Sequence, residues 1–142
     1  MKKICTSLEQ SKKLVELGLD VNTADMCWTN HLFNAFLSSW RIESTSPQEY
    51  KNLLDGFAVR GYLIEPAWSL SALLELIPPY LGEFNDGIDF GFGKAMNGKW
   101  YSAHYLQYFQ NGDVDPVKTV TGDTAVDAAF EMVCWLKENK KI

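Results

Sequence analysis

The sequence predicts an α+β fold: a hairpin-centred antiparallel sheet of three to five strands with helices packed on one face. Three observations carry this expectation. Two apolar runs with strand alternation flank Met96-Asn97-Gly98, residues suited to a tight turn. Segments of helical periodicity with capping residues stand near both ends of the chain. The clear hairpin argues against an all-parallel sheet, whose strands need long crossovers. With 142 residues, 46% hydrophobic and 22% charged, the chain can bury a core of its own and suits one folded domain, 1–142, rather than disorder.

The first helix is expected over residues 7–17. Ser7 with Gln10, or Thr6 with Glu9, has the spacing at which two side chains each satisfy an orphan backbone donor. Leu8, Leu14, Val15 and Leu17 give an apolar stripe, and Gly18 supplies a left-handed stop. Residues 19–25 read as a connector and Met26–Trp28 as a short strand. Residues 30–61 read as a helical insertion. Within it, residues 32–40 fit a helical stripe slightly better than a strand, and Ser46-Pro47-Gln48-Glu49 opens a helix that stops at Gly56.

Tyr62-Leu63-Ile64 reads as a strand that enters a helix with Pro66 at its first position. That helix runs from Trp68 to Ile77, where Pro78-Pro79 ends it. The hairpin follows, with strands over 87–93 and 99–109. Alternation places Trp100, Ser102, His104, Leu106 and Tyr108 on one face, and Tyr101, Ala103, Tyr105, Gln107 and Phe109 on the other. Asn111-Gly112 turns the chain into a third strand over 114–120, which Pro116 assigns to an edge. The last helix starts at Asp123 or Thr124 and runs to about Asn139. Val126, Ala129, Phe130, Val133 and Leu136 form its core arc, with Cys134 at the margin. Trp135 lies nearly opposite Val126, beside Ala128 and Met132.

Composition excludes several functions. With 13 basic against 18 acidic residues the net charge is −5, and the lysines are scattered, so nucleic acid is not an expected partner. Cys5, Cys27 and Cys134 are odd in number and far apart, which indicates reduced thiols rather than zinc ligands or a disulfide framework. The opening lysines precede no apolar stretch, and no run approaches a membrane span, so a cytoplasmic protein without membrane contact is expected. No GxSxG, HExxH or phosphate loop is present, and no catalytic residue, metal site or cofactor is assigned. Asp25, Cys27 and His31 lie close in sequence, but catalytic partners ordinarily converge from distant positions.

Two kinds of site remain. Aromatic side chains in excess of one packed face nominate Trp135, Trp100, Tyr101 and Tyr105 as contacts for a protein partner or a second copy of the chain. The two histidines, His31 and His104, are the ligand candidates. The leading expectation is a non-enzymatic protein-binding or self-associating module. The alternative is a small-ligand-binding protein or small enzyme with a pocket between sheet and helices.

Residues 5–14, Leu17-Gly18-Leu19 and Thr23-Ala24-Asp25-Met26 resemble the opening of a family of small uncharacterised phage- and prophage-associated proteins of gut bacteria. The likeness continues through residues 66–74 with Pro78, and ends in residues 127–132 with Trp135-Leu136. It covers about half of the chain. The family has no assigned activity, so the resemblance implies a setting: an accessory protein in a bacterial cytoplasm under a mobile element. Residues 30–61 look inserted relative to the shorter members.

Overall fold

The computed structural model describes residues 3–31, 41–44, 62–82 and 86–142. The helices expected at 32–40 and from Ser46 lie outside them, as does the rest of the 30–61 segment apart from Asn30, His31 and 41–44. The class is α+β. The described strands form two three-stranded antiparallel sheets where the sequence reading placed one. The chain's contacts gather into two units, Ile4–Ala72 and Leu73–Ile142 with Met1–Lys3.

The first unit opens with helix α1, Leu8–Glu16. Its cap is the Ser7 and Gln10 version of the box: Gln10 N–H donates to Ser7 Oγ at 3.2 Å, and Ser7 N–H donates to Gln10 Oε1 at 3.0 Å. Gly18 stands at φ +84°, where a side chain would be strained, and ends the helix as expected. Strand β1, Met26–His31, is the centre of the sheet. β2, Arg41–Ser44, and β3, Tyr62–Ala67, flank it.

Pro66 corrects one expectation. It lies inside β3, opposite Cys27, and does not open a helix. An edge strand tolerates a residue without an N–H, because one side of its backbone has no ladder to join. Helix α2 is accordingly shorter, Leu70–Leu76. Its start is set by Ser69, whose Oγ accepts from Ala72 N–H at 3.2 Å. Asp25 holds this cap in place, accepting Ser69 N–H at 2.8 Å through one carboxylate oxygen and the Ser69 hydroxyl through the other.

Thr6 ties the unit together. Its hydroxyl accepts from Trp68 N–H at 3.1 Å and lies 2.8 Å from Ser11 Oγ. Its backbone N–H donates to Trp68 O, and its carbonyl accepts from Trp28 Nε1, both at 2.9 Å. Trp68 is fully buried and donates its indole N–H to Thr23 Oγ1 at 2.9 Å. The buried Thr6 and Ser11 hydroxyls and the Trp68 indole N–H all have partners here, as burial demands, whereas Asn30 Oδ1 in β1 is buried without one among the described residues.

The second unit is built on β4, Ile88–Lys94, β5, Tyr101–Tyr108, and β6, Val114–Gly122, in that spatial order. The β4–β5 connection spans 95–100 and is longer than a two-residue turn. Gly98 N–H donates to Ala95 O, and Ala95 N–H to Trp100 O, both at 2.8 Å. β6 is an edge, as Pro116 implied, and its pairing with β5 is broken by a bulge between Tyr105 and Leu106. Part of the other edge is covered, since Phe90 N–H donates to Pro79 O and Leu81 N–H to Ile88 O. A proline-bearing bulged edge and a covered edge both discourage strand addition from another chain.

Helix α3, Ala125–Glu138, packs on β5 and β6. Thr124 caps it, accepting Asp127 N–H at 3.1 Å. Asp127 sits in the first turn, where a carboxylate is favoured, and pairs with Lys3. The expected core arc is buried throughout, and so are Cys134, Ala128 and Met132. The apolar stripe is thus wider than the wheel indicated.

β6 and α3 meet at Gly122. A Cβ there would lie 2.5 Å from Ala128 N and 2.7 Å from Asp127 Cβ, against helix backbone that cannot rotate away. Gly122→Ala is expected to destabilise the protein by about 2 kcal/mol, the usual cost of overpacking. Urea unfolding reads this directly, and an unchanged midpoint would refute the close approach.

Candidate functional site

The two faces of the β4–β5–β6 sheet have different fates. Ala103 and Tyr105 alternate onto the face turned to α3, and both are 0% exposed. Phe90 pairs with Tyr105, and the two rings meet tilted, with 5.4 Å between ring centroids. On the other side of Tyr105 lies Trp135, at 6.2 Å and half-buried. The phenol hydroxyl donates to Pro78 O at 2.7 Å. Burial without a neighbouring cation disfavours the phenolate and pushes the Tyr105 pKa from 10.0 to about 12.

Tyr105, expected at a contact surface, is therefore a core residue. The pleat that exposes Trp100 turns Tyr105 inward, so one face cannot present both. Trp135, expected opposite the core arc, supplies a second aromatic layer on Tyr105. Tyr101 is half-buried, stacked on Phe92 at 6.3 Å, with Lys94 Nζ 5.8 Å from its ring centre. Tyr105 of the sheet and Met132, Val133 and Leu136 of α3 are each fully buried.

The opposite face is open. It carries Ser102, His104, Leu106 and Tyr108 of β5, with Trp100 at the end of the connection just before the strand, beside Gly91 and Gly93 of β4 and Thr119 and Thr121 of β6. Trp100 is 39% exposed, and Tyr108, Thr119 and Thr121 are exposed as well. The imidazole of His104 reaches across the ladder onto Gly91. A Cβ at Gly91 would collide with its Nε2, so a side chain in this strand would displace the ring. Ser102 Oγ stands 3.4 Å from His104 Nδ1, too long for a strong bond.

Where the β4–β5 connection meets this face it shapes an open hollow of about 530 Å3. Residues 93–97 line it together with Trp100, Ser102 and His104. Met96 is fully exposed beside it. Sequence reasoning singled out Trp100 and His104 but not Met96 or Ser102 as site residues. The period-two spacing of 100, 102 and 104 was the available signal. Nothing in it told which face the helix would take.

His31 occupies the last position of β1, opposite Tyr62, and its side chain lies outside the described residues. Asp25 is engaged in capping α2 and Cys27 is buried, so these two do not form a nucleophile and base. All three cysteines are buried and none is in a disulfide. Among the described residues no three His, Cys, Asp or Glu side chains gather as a metal site, and no helix is long and apolar enough to cross a membrane. Comparison with protein-family models, with curated proteins and with solved structures finds no match to this chain.

Proposed function

We propose that this chain is a non-enzymatic binding module that acts through the open face of the β4–β5–β6 sheet. In this reading it is an accessory protein of the phage- or prophage-associated kind, working in a bacterial cytoplasm. The observation that supports the contact surface is Trp100, 39% exposed on a face that no residue of α3 occupies. Leaving an indole in water forgoes a large burial energy, and tryptophan anchors are where binding energy concentrates.

Size limits the occupant. Three strands of about eight residues present roughly 400 Å2 of face, from their ~4.8 Å spacing and ~3.4 Å rise. A stable protein pair buries about 800 Å2 on each partner, so this face alone falls short of holding a second copy. A hollow of about 530 Å3 lies within the usual range of small-molecule sites.

Native mass spectrometry of the full chain purified gently from a bacterial host tests the reading. The wild-type protein is expected to retain added mass that Trp100→Ala loses, while the urea midpoint of the variant stays unchanged. Identical spectra for the two proteins would sink it.

A further inference from the structure

The hollow's lining narrows the chemistry of what it can hold. Its surface is mostly apolar: the Trp100 ring, the Met96 side chain, the Ala95 methyl and the bare backbone of Gly93. A strand floor without a side chain at Gly93, beside an exposed indole, accepts a flat molecule better than a branched one. Methionine is unbranched, can close over such a ring, and makes favourable sulfur–aromatic contacts.

Charge is disfavoured inside. Lys94 is the cation of the lining, but its ammonium is drawn to the ring of Tyr101, on the face turned to α3. An anion set against this mostly apolar lining would lose hydration. Asn97 Oδ1 is engaged by Lys99 N–H, and two further polar groups belong to the lining, Ser102 Oγ and the His104 imidazole. Their 3.4 Å separation leaves both with capacity for a better-placed partner.

We propose that the hollow binds a small, planar, uncharged aromatic molecule with one hydrogen-bonding edge, stacked on Trp100 and bonded through that edge to Ser102 and His104. This rests on the reading of the open face as the contact surface, and it names the class of ligand.

The test titrates the full chain with 2-naphthol, naphthalene and 2-naphthoate, followed by ligand-observed NMR. Saturable binding of 2-naphthol is expected, weakened about tenfold or more by Trp100→Ala. The Ser102→Ala/His104→Ala double variant is expected to weaken 2-naphthol about tenfold and to leave naphthalene within about twofold, because only the former uses the polar edge. 2-Naphthoate is expected to bind at least about tenfold more weakly than 2-naphthol. Equal affinity for the naphthol and the naphthoate, or equal losses of naphthol and naphthalene in the double variant, would overturn the proposal. So would the absence of saturable 2-naphthol binding. If Trp100→Ala still strips retained mass in the native spectrum, the contact-surface reading survives that failure. If it does not, both fall.

Discussion

Trp68→Ala is expected to cost about 4 kcal/mol of stability, the largest effect of any single change considered. The indole is fully buried, and its removal combines lost transfer energy with an unfilled cavity, which together run to ~3–5 kcal/mol for tryptophan. The loss extends to polar groups. Thr23 Oγ1 would no longer accept the indole N–H, and the strand-to-α1 bridge at Thr6 would lose the bulk that positions it. Against a typical total of ~5–15 kcal/mol, such a change brings the chain close to unfolding. Trp68→Phe helps to separate the two contributions, because it keeps a ring while removing the hydrogen bond to Thr23 and part of the buried volume. It is expected to lose ~1–2 kcal/mol, within the range for one buried hydrogen bond and a smaller ring. Urea unfolding followed by far-UV circular dichroism measures both. Losses of similar size in the two variants would show that packing around Trp68 is not what holds this unit.

Stability should also fall steeply in alkali, by about 2 kcal/mol between pH 10 and pH 12, through Tyr105. In the unfolded chain this phenol ionises near 10.0, while burial raises it to about 12 in the folded protein. Between those values the unfolded state has released a proton that the native state still holds. Rising pH therefore favours unfolding, and the contribution is fully present below pH 10. A pKa rise of about two corresponds to about 3 kcal/mol in full, of which about 2 kcal/mol is lost between pH 10 and pH 12. Tyr105→Phe removes the titrating group, so its stability is expected to decline less over this window than that of the wild type. At neutral pH the variant should be weaker by about 1 kcal/mol, since Pro78 O loses its donor. The difference between the two pH curves isolates Tyr105 from the other tyrosines and the lysines. Parallel curves would place the hydroxyl in contact with water.

The alkaline prediction and the candidate site depend on the same structural decision. Strand alternation alone assigns Trp100, Ser102 and His104 to one face of β5 and Tyr101, Ala103 and Tyr105 to the other. Both sets carry large aromatic side chains, Trp100 in one and Tyr101 and Tyr105 in the other, so aromatic content alone does not say which is buried. The helix decides, by packing on Ala103 and Tyr105. The small side chain at Ala103 lets α3 approach, and Gly122 lets its first turn close on β6. The face left over becomes the candidate surface. Met96 joins it only because the β4–β5 connection is six residues long and curls beside Trp100, a geometry that the Asn-Gly pair did not specify.

Local chemistry was readable where the partners are close in sequence. The Ser7–Gln10 cap, the stop at Gly18, the edge strand marked by Pro116 and the cap at Thr124 each depend on residues within a turn or two of one another. Such features follow largely from local chemistry; the sequence by itself determined the stop and the proline-marked strand and narrowed each cap to two candidates, of which the structure has Ser7 with Gln10 and Thr124. The sequence also determined the α+β class, through the change from a period of two to a period of 3.6. The tertiary structure decided what depends on distant residues. It pulled Pro66 into a strand opposite Cys27, set Asp25 under the cap of α2, and joined Thr6 to Trp68 across 62 positions. It chose which face of β5 would be buried. Those choices follow from burial and hydrogen-bond satisfaction over the whole chain, which no local window contains.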